Sequence, residues 1–205
     1  NHDKPRLATR LGHAHTRVAA MLLLTLRGTP TLYYGDELGM ANVPIAPEQV
    51  QDPWEKNVPG FGLGRDPART PMQWDASEQA GFTNGRPWLP LAQDAGSTNV
   101  HVEREDSQSV LHLYRSLIQL RRAEQALTMG SYRLESAMND TMLYHREWGH
   151  RRLSIVLNFS SQPRILTVRN PGRIILSTRM DRRGERFEDK LSLRSHEGIV
   201  AESLI

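Results

Sequence analysis

The sequence predicts an α/β segment followed by an all-β antiparallel domain, and three observations carry that expectation. A helix, a short turn and a β-branched segment follow one another between Thr16 and Tyr34, the order of an α/β unit. From Ala41 to about Asp106 no period of 2 or 3.6 persists, which marks a very long loop. After Gly130 six short alternating segments crowd into the remaining residues, the texture of an antiparallel sandwich.

Each element has its local reason. Thr16 to Leu26 is apolar nearly all round, with Thr16 placed to cap its start and Gly28 to end it, so it reads as a helix buried on several sides. Thr31 to Tyr34 follows Pro30 and stops at Gly35, which reads as one buried strand with Asp36 and Glu37 at its carboxyl end, where α/β units collect their chemistry. The long loop carries Trp54, Phe61, Trp74, Phe82 and Trp88 among Pro, Gly, Asn and Asp, and so reads as an ordered active-site loop. Ser107 precedes an amphipathic helix with Val110, Leu113, Tyr114, Leu117 and Ile118 on one face. The six strands are expected at Ser131 to Leu134, Thr141 to Trp148, Arg152 to Phe159, Arg164 to Val168, Arg173 to Ser177 and Gly198 to Leu204. The division is expected between residues 1–128 and 129–205.

Composition narrows the function classes. The chain has 205 residues, enough to bury a core, and no cysteine, which removes disulfides, thiolate nucleophiles and Cys-based metal sites together. It leaves the compartment open, with the cytoplasm as the default; the sequence begins at Asn1, inside a motif, so a leader is expected to have been lost upstream if there was one. The longest apolar run, Val18 to Leu26, is far short of a membrane span. Net charge is +3, but the basic residues are 23 Arg against 3 Lys scattered without runs, so neither nucleic acid nor membrane is an expected partner. The last domain lacks an aromatic row for sugar stacking, and Trp148 and Phe159 are expected to stabilise it rather than bind ligand.

Several motifs could carry chemistry. Asn1-His2-Asp3 ahead of Pro5 suits a strand-to-loop junction, and is either a turn or a site. His13-Ala14-His15 with His2 and Asp3 has the residue types of a metal site but no further spaced ligand, so it reads as solvated loop histidines. No metal or cofactor is expected. Asp36 and Glu37 could form an acid/base pair, but neighbours on an extended segment point apart, and a supporting role fits as well. Gly64 through Asp75 is a stiff, Pro-flanked stretch presenting Arg65, Arg69 and Trp74, which suits a sugar's hydroxyls and apolar face; an Arg–Asp bridge pinning the loop is the alternative, and Arg69 could bridge while Arg65 binds.

Three blocks in this order resemble the α-amylase family, glycoside hydrolase family 13, in its α-glucosidase and oligo-1,6-glucosidase branch. They are Asn1-His2-Asp3-Lys4-Pro5-Arg6, then Gly28 through Met40, then Gly64 through Asp75. The resemblance covers nearly the whole chain and implies the C-terminal remnant of a (β/α)8 barrel followed by the β-sandwich. It implies retaining chemistry, in which an Asp nucleophile, a Glu acid/base and a third carboxylate act on an α-linked sugar. Asp3 matches the third carboxylate, His2 a histidine that binds sugar hydroxyls, and Arg65 an arginine gripping the terminal glucose. Glu37 and Arg69 would support these contacts from behind.

In this family the nucleophile and the acid/base residue precede the motif at which the sequence begins. The expectation is therefore a C-terminal portion of an enzyme that releases terminal α-linked glucose from short oligosaccharides, the 205-residue chain being inactive alone. A transglycosylating or isomerising relative, of the trehalose synthase or sucrose isomerase type, and a non-catalytic interaction module are the alternatives. Oligomeric state stays open.

Overall fold

A computed structural model describes residues 1–203. It contains helices α1 (Leu7–Leu11), α2 (Thr16–Thr25), α3 (Pro53–Asn57), α4 (Val100–Glu105), α5 (Val110–Ala123) and α6 (Gln125–Thr128). The strands are β1 (Ser131–Met138), β2 (Thr141–Trp148), β3 (Arg151–Asn158), β4 (Arg164–Thr167), β5 (Gly172–Ser177), β6 (Arg186–Phe187), β7 (Lys190–Leu193) and β8 (Gly198–Ser203). The chain forms two compact units: Asn1–Thr16 with Thr31–His112, and Arg17–Pro30 with the residues from Leu113 onward.

The first unit is mostly irregular chain around a small core of Leu38, Met40, Met72 and Val100, against which Leu111 packs. The strand expected at Thr31 to Tyr34 does not form, and no described residue before Ser131 is in a strand. A strand needs a partner for its N–H and C=O groups, and no other segment of this unit supplies one. The two tyrosines instead hold the Arg-bearing loop, their hydroxyls donating to the carbonyls of Ala68 (3.0 Å) and Thr70 (2.6 Å). Arg6 lies fully buried against both rings, 5.0 Å and 4.5 Å from their centroids. Gly35 follows at φ 85°, and a Cβ there would lie 2.5 Å from the Met40 sulfur and 2.8 Å from an Arg6 nitrogen.

The segment 41–106 is not wholly without regular structure. Asp52 caps α3 by accepting the Trp54 N–H, with Pro53 at the first helical position, and Asn99 caps α4 by accepting the Val102 N–H. Both are short, which is why no hydrophobic period announces them.

In the second unit β1-β2-β3-β8-β5-β6 form one sheet and β4-β7 another, and every pairing is antiparallel. Leu143, Val156, Ile174 and Ile199 of the large sheet meet Leu191 and Leu193 of the small one, so this is a sandwich core. The sequence expectation omitted β6 and β7, two and four residues long, and the Leu204 end of its last strand lies outside the described residues. The Thr16 hydroxyl donates to the His13 carbonyl at 2.8 Å. The carboxyl end of helix α2 is closed by arginines. Arg121 donates to the carbonyls of Leu24 (2.8 Å), Leu26 (3.1 Å) and Gly28, and Arg146 to that of Thr25 at 2.6 Å. Trp148, expected to be structural, is exposed at 45% and so only half-buried; Trp148→Ala should lower unfolding free energy by about 1–2 kcal/mol in a urea titration, less than the loss of a fully buried tryptophan.

Beside the sandwich core, Glu135, His145 and Ser154 form a row. His145 Nε2 lies 2.7 Å from a Glu135 oxygen and Nδ1 3.0 Å from the Ser154 hydroxyl. Burial pushes His145 below its ordinary 6.5, against the pull of Glu135. The His145 hydrogen bond outweighs burial at Glu135 and holds that carboxyl below its ordinary 4.5. Both lowered values favour folding above the ordinary value and lose that contribution as pH falls through the window beneath it. Stability should therefore decline first below 6.5, and again below 4.5. In His145→Gln the first decline should flatten; an identical urea-midpoint profile in both proteins would contradict this.

Candidate functional site

Asp3, His2, Arg65 and Arg69 come together within the first unit. Asp3 lies at the start of the chain, its own N–H bonded to the Asn1 side chain at 3.0 Å. One of its oxygens accepts from Arg65 Nη1 at 3.2 Å and from Arg69 Nη2 at 3.1 Å, with His2 Nε2 at 3.3 Å. Arg69 also donates through Nε to the His2 carbonyl at 3.0 Å, tying the Asn1-His2-Asp3 turn to the Gly64–Asp75 stretch. The Asp3 side chain is 49% exposed and that of His2 63%, so the cluster is open on one side.

Charge fixes the protonation state. Partial burial raises the Asp3 pKa, but Arg65, His2 and Arg69 together outweigh it and hold the carboxyl below its ordinary value. An ionised carboxylate beside two guanidiniums and an imidazole can take up hydroxyls as donor and acceptor at once, and can face a developing positive charge.

Of two further aspartates beside this cluster, Asp52 escaped the sequence reading, while Asp66 lies inside the Gly64–Asp75 stretch but was given no separate role. Asp52 has a fully buried side chain and grips Arg65 in a fork, at 2.8 Å to Nε and 3.0 Å to Nη2. The Arg65 hydrogen bond holds its pKa far below the carboxylate range. Asp66 is also buried, and accepts the N–H groups of Gln51 (2.6 Å) and Asp52 (2.8 Å). Asp52-Pro53 is a helix-start signal, and that signal could have drawn attention to it. Both carboxylates are buried, Asp52 with its oxygens on Arg65 and the backbone and Asp66 with one oxygen on backbone N–H groups, so neither is open to a substrate as the second member of a hydrolytic pair.

Glu37 is not among the partners of Asp3. It sits on the 3-10 turn Asp36–Leu38, where burial raises its pKa against hydrogen bonds from its own N–H and that of Gly35. Asp36 is raised in the same way, by burial, against a bond from the Tyr33 N–H at 3.3 Å. Among the described residues no group of three or more His, Asp or Glu is placed to hold a metal ion, and no helix is long and apolar enough to cross a membrane.

The alpha-amylase catalytic domain family matches residues 1–130. The chain belongs to the alpha-amylase family, a family of glycoside hydrolases and related sugar isomerases. It is 36% identical over 205 residues to the oligo-1,6-glucosidase of Parageobacillus thermoglucosidasius, covering 87% of this chain and 36% of that protein. With the glucan 1,6-alpha-glucosidase of Streptococcus pneumoniae serotype 4 it shares 34% identity over 199 residues, covering 86% of this chain and 37% of that protein. Among solved structures, the trehalulose synthase of Pseudomonas mesoacidophila MX-45 superposes with a TM-score of 0.87 at 31% identity, over 98% of this chain and 42% of that one. The isomaltulose synthase of Klebsiella sp. LX3 gives 0.86 at 29% identity, over 98% and 41%. The chain thus spans well under half the length of these relatives.

Proposed function

We propose that this chain supplies one wall of the sugar site of a retaining α-glucosidase that releases terminal α-linked glucose from short oligosaccharides. The convergence of Arg65, Arg69 and His2 on the half-exposed carboxylate of Asp3 carries the reading. Asp3 would face the positive charge that develops at the anomeric carbon, His2 and Arg65 would hold hydroxyls of the terminal glucose, and Arg69 would fix Asp3 from behind. Glu37 would act at a further remove, through the turn it occupies. In this reading residues 1–128 belong to a catalytic barrel and residues 129–205 to a structural sandwich.

Retaining hydrolysis needs a nucleophile and an acid/base carboxylate on either side of the sugar. Asp3 alone provides neither, and Asp52 and Asp66 are buried, so the reading assigns those two roles to residues outside this chain. The isomerising alternative is favoured by one observation, the likeness to trehalulose and isomaltulose synthases over 98% of the chain.

The test is turnover of p-nitrophenyl α-glucoside, maltose, isomaltose and sucrose by the full-length gene product and by the 205-residue polypeptide. Glucose release by the former alone is the expected result. Conversion of sucrose to isomeric disaccharides with little free glucose would select the isomerase. Hydrolysis by the 205-residue polypeptide itself would overturn the assignment of the missing carboxylates.

A further inference from the structure

Asp52 is a carboxylate to which neither the sequence motifs nor the functional reading above gives a part. It is buried, and it spends both oxygens on Arg65 and the surrounding backbone: the fork to Nε and Nη2, a bond from the Arg65 N–H at 2.7 Å, and the α3 cap from Trp54 at 3.1 Å. Its own backbone is fixed in turn by Asp66, the residue after Arg65. Residues 53–64 therefore leave and return at one clamp, while Phe61, on that excursion, is 76% exposed.

A guanidinium has five N–H donors. Asp52 takes one from Nε and one from Nη2, and Asp3 one from Nη1, which leaves one on Nη1 and one on Nη2. A forked carboxylate fixes the plane of a guanidinium, whereas a single contact such as Asp3–Nη1 leaves it free to swing. Charge points the same way. Arg65 and Arg69 carry two positive charges, and Asp3 and Asp52 balance them, so the cluster suits an uncharged ligand.

We propose that Asp52 is the positioning residue for Arg65: it occupies the Nε side of the guanidinium and so presents the two remaining N–H groups to hydroxyls of a neutral terminal sugar. The inference rests on the α-glucosidase reading. It adds that the grip of Arg65 on sugar is set by a residue that never touches the sugar.

The test is a double-mutant cycle in the full-length gene product, with kcat, KM for maltose and isomaltose, and melting temperature read for wild type, Asp52→Asn, Arg65→Ala and the pair. Asp52→Asn should raise KM about tenfold, the size of a lost charge-assisted hydrogen bond, with kcat within about threefold of wild type. In the Arg65→Ala background the same substitution should add almost nothing to KM. A folded Asp52→Asn with unchanged KM, or effects that simply add, would overturn the positioning role and leave the functional reading intact. If Asp52→Asn does not fold, Asp52→Glu, which keeps the charge but lengthens the arm, takes its place in the cycle with the same expected KM effect. A wild-type protein that turns over neither sugar would overturn the functional reading, and this role with it.

Discussion

In the proposed α-glucosidase, Asp3→Asn should lower glucose release by the full-length protein by roughly 10²–10³-fold or more, the loss typical of removing one preorganised electrostatic group from a transition state. The substitution is nearly isosteric, so the change is one of charge. Asp3 accepts from Arg65 and Arg69 on a single oxygen and is kept ionised by them. An amide oxygen could still accept those two bonds, but it would present no negative charge to an oxocarbenium-like sugar. The effect should therefore fall on kcat at least as strongly as on KM, because the charge it answers exists only in the transition state. Arg69→Ala should act more weakly, since Arg65 remains on Asp3. Asp3 is half-exposed at the chain surface, so Asp3→Asn should leave the melting temperature within a few degrees of wild type. A folded Asp3→Asn protein with full activity would remove Asp3 from the chemistry and reduce the cluster to a loop-pinning bridge.

The sequence showed some parts of this structure far better than others, and the reason is physical. Helix α5 was legible because one face of it is buried: Leu113, Tyr114 and Leu117 recur at helical spacing. Strands β2 and β3 were legible from their runs of aliphatic and aromatic residues between turn signals, runs that are buried on both faces from Leu143 to Arg146 and from Ile155 to Asn158. The expected strand at Thr31 to Tyr34 has the right residues, yet a strand is a relation between segments, and β propensity cannot supply the partner. Within the site, Arg65 and Arg69 stood out because their stretch is dense and stiff, whereas His2 and Asp3 were picked out only through the resemblance that the three blocks carry together. Asp52 was not, because what distinguishes it is a contact across 13 residues to Arg65, and a lone Asp before Pro reads only as a cap. Arg146 was missed for the opposite reason. It looks like one of many arginines in a basic domain, and nothing local says that it is fully buried.

Arg146→Met should destabilise the second unit by about 3 kcal/mol, the combined cost of several buried carbonyls left without donors. The guanidinium is wholly enclosed and meets no carboxylate among its hydrogen-bond partners. It donates to the carbonyls of Thr25 (2.6 Å), Ser131 (3.1 Å) and Gly130 (3.0 Å). Burial, then Arg121 and Arg27, lowers its pKa, so the cation is held here at a cost that the carbonyls must offset. The Thr25 carbonyl lies at the carboxyl end of α2, where the helix dipole favours a cation, and Ser131, directly after Gly130, begins the first strand. Arg146 thus closes a helix and a strand start with one side chain. Methionine would fill much of the volume and remove the buried charge, yet it donates nothing, so the three carbonyls decide the sign. Lysine would keep the charge without the flat fork that reaches three acceptors at once, and should fall between the two. For a polypeptide of this size the loss corresponds to roughly 6–12 °C in melting temperature. Arg173→Met is the control, because Arg173 is half-exposed and pairs with Glu202 at the sheet surface. That change should stay within about 1 kcal/mol, as exposed ion pairs do. Equal losses in the two variants would show that the buried carbonyls find water or other donors, and that Arg146 is one surface-type arginine among many.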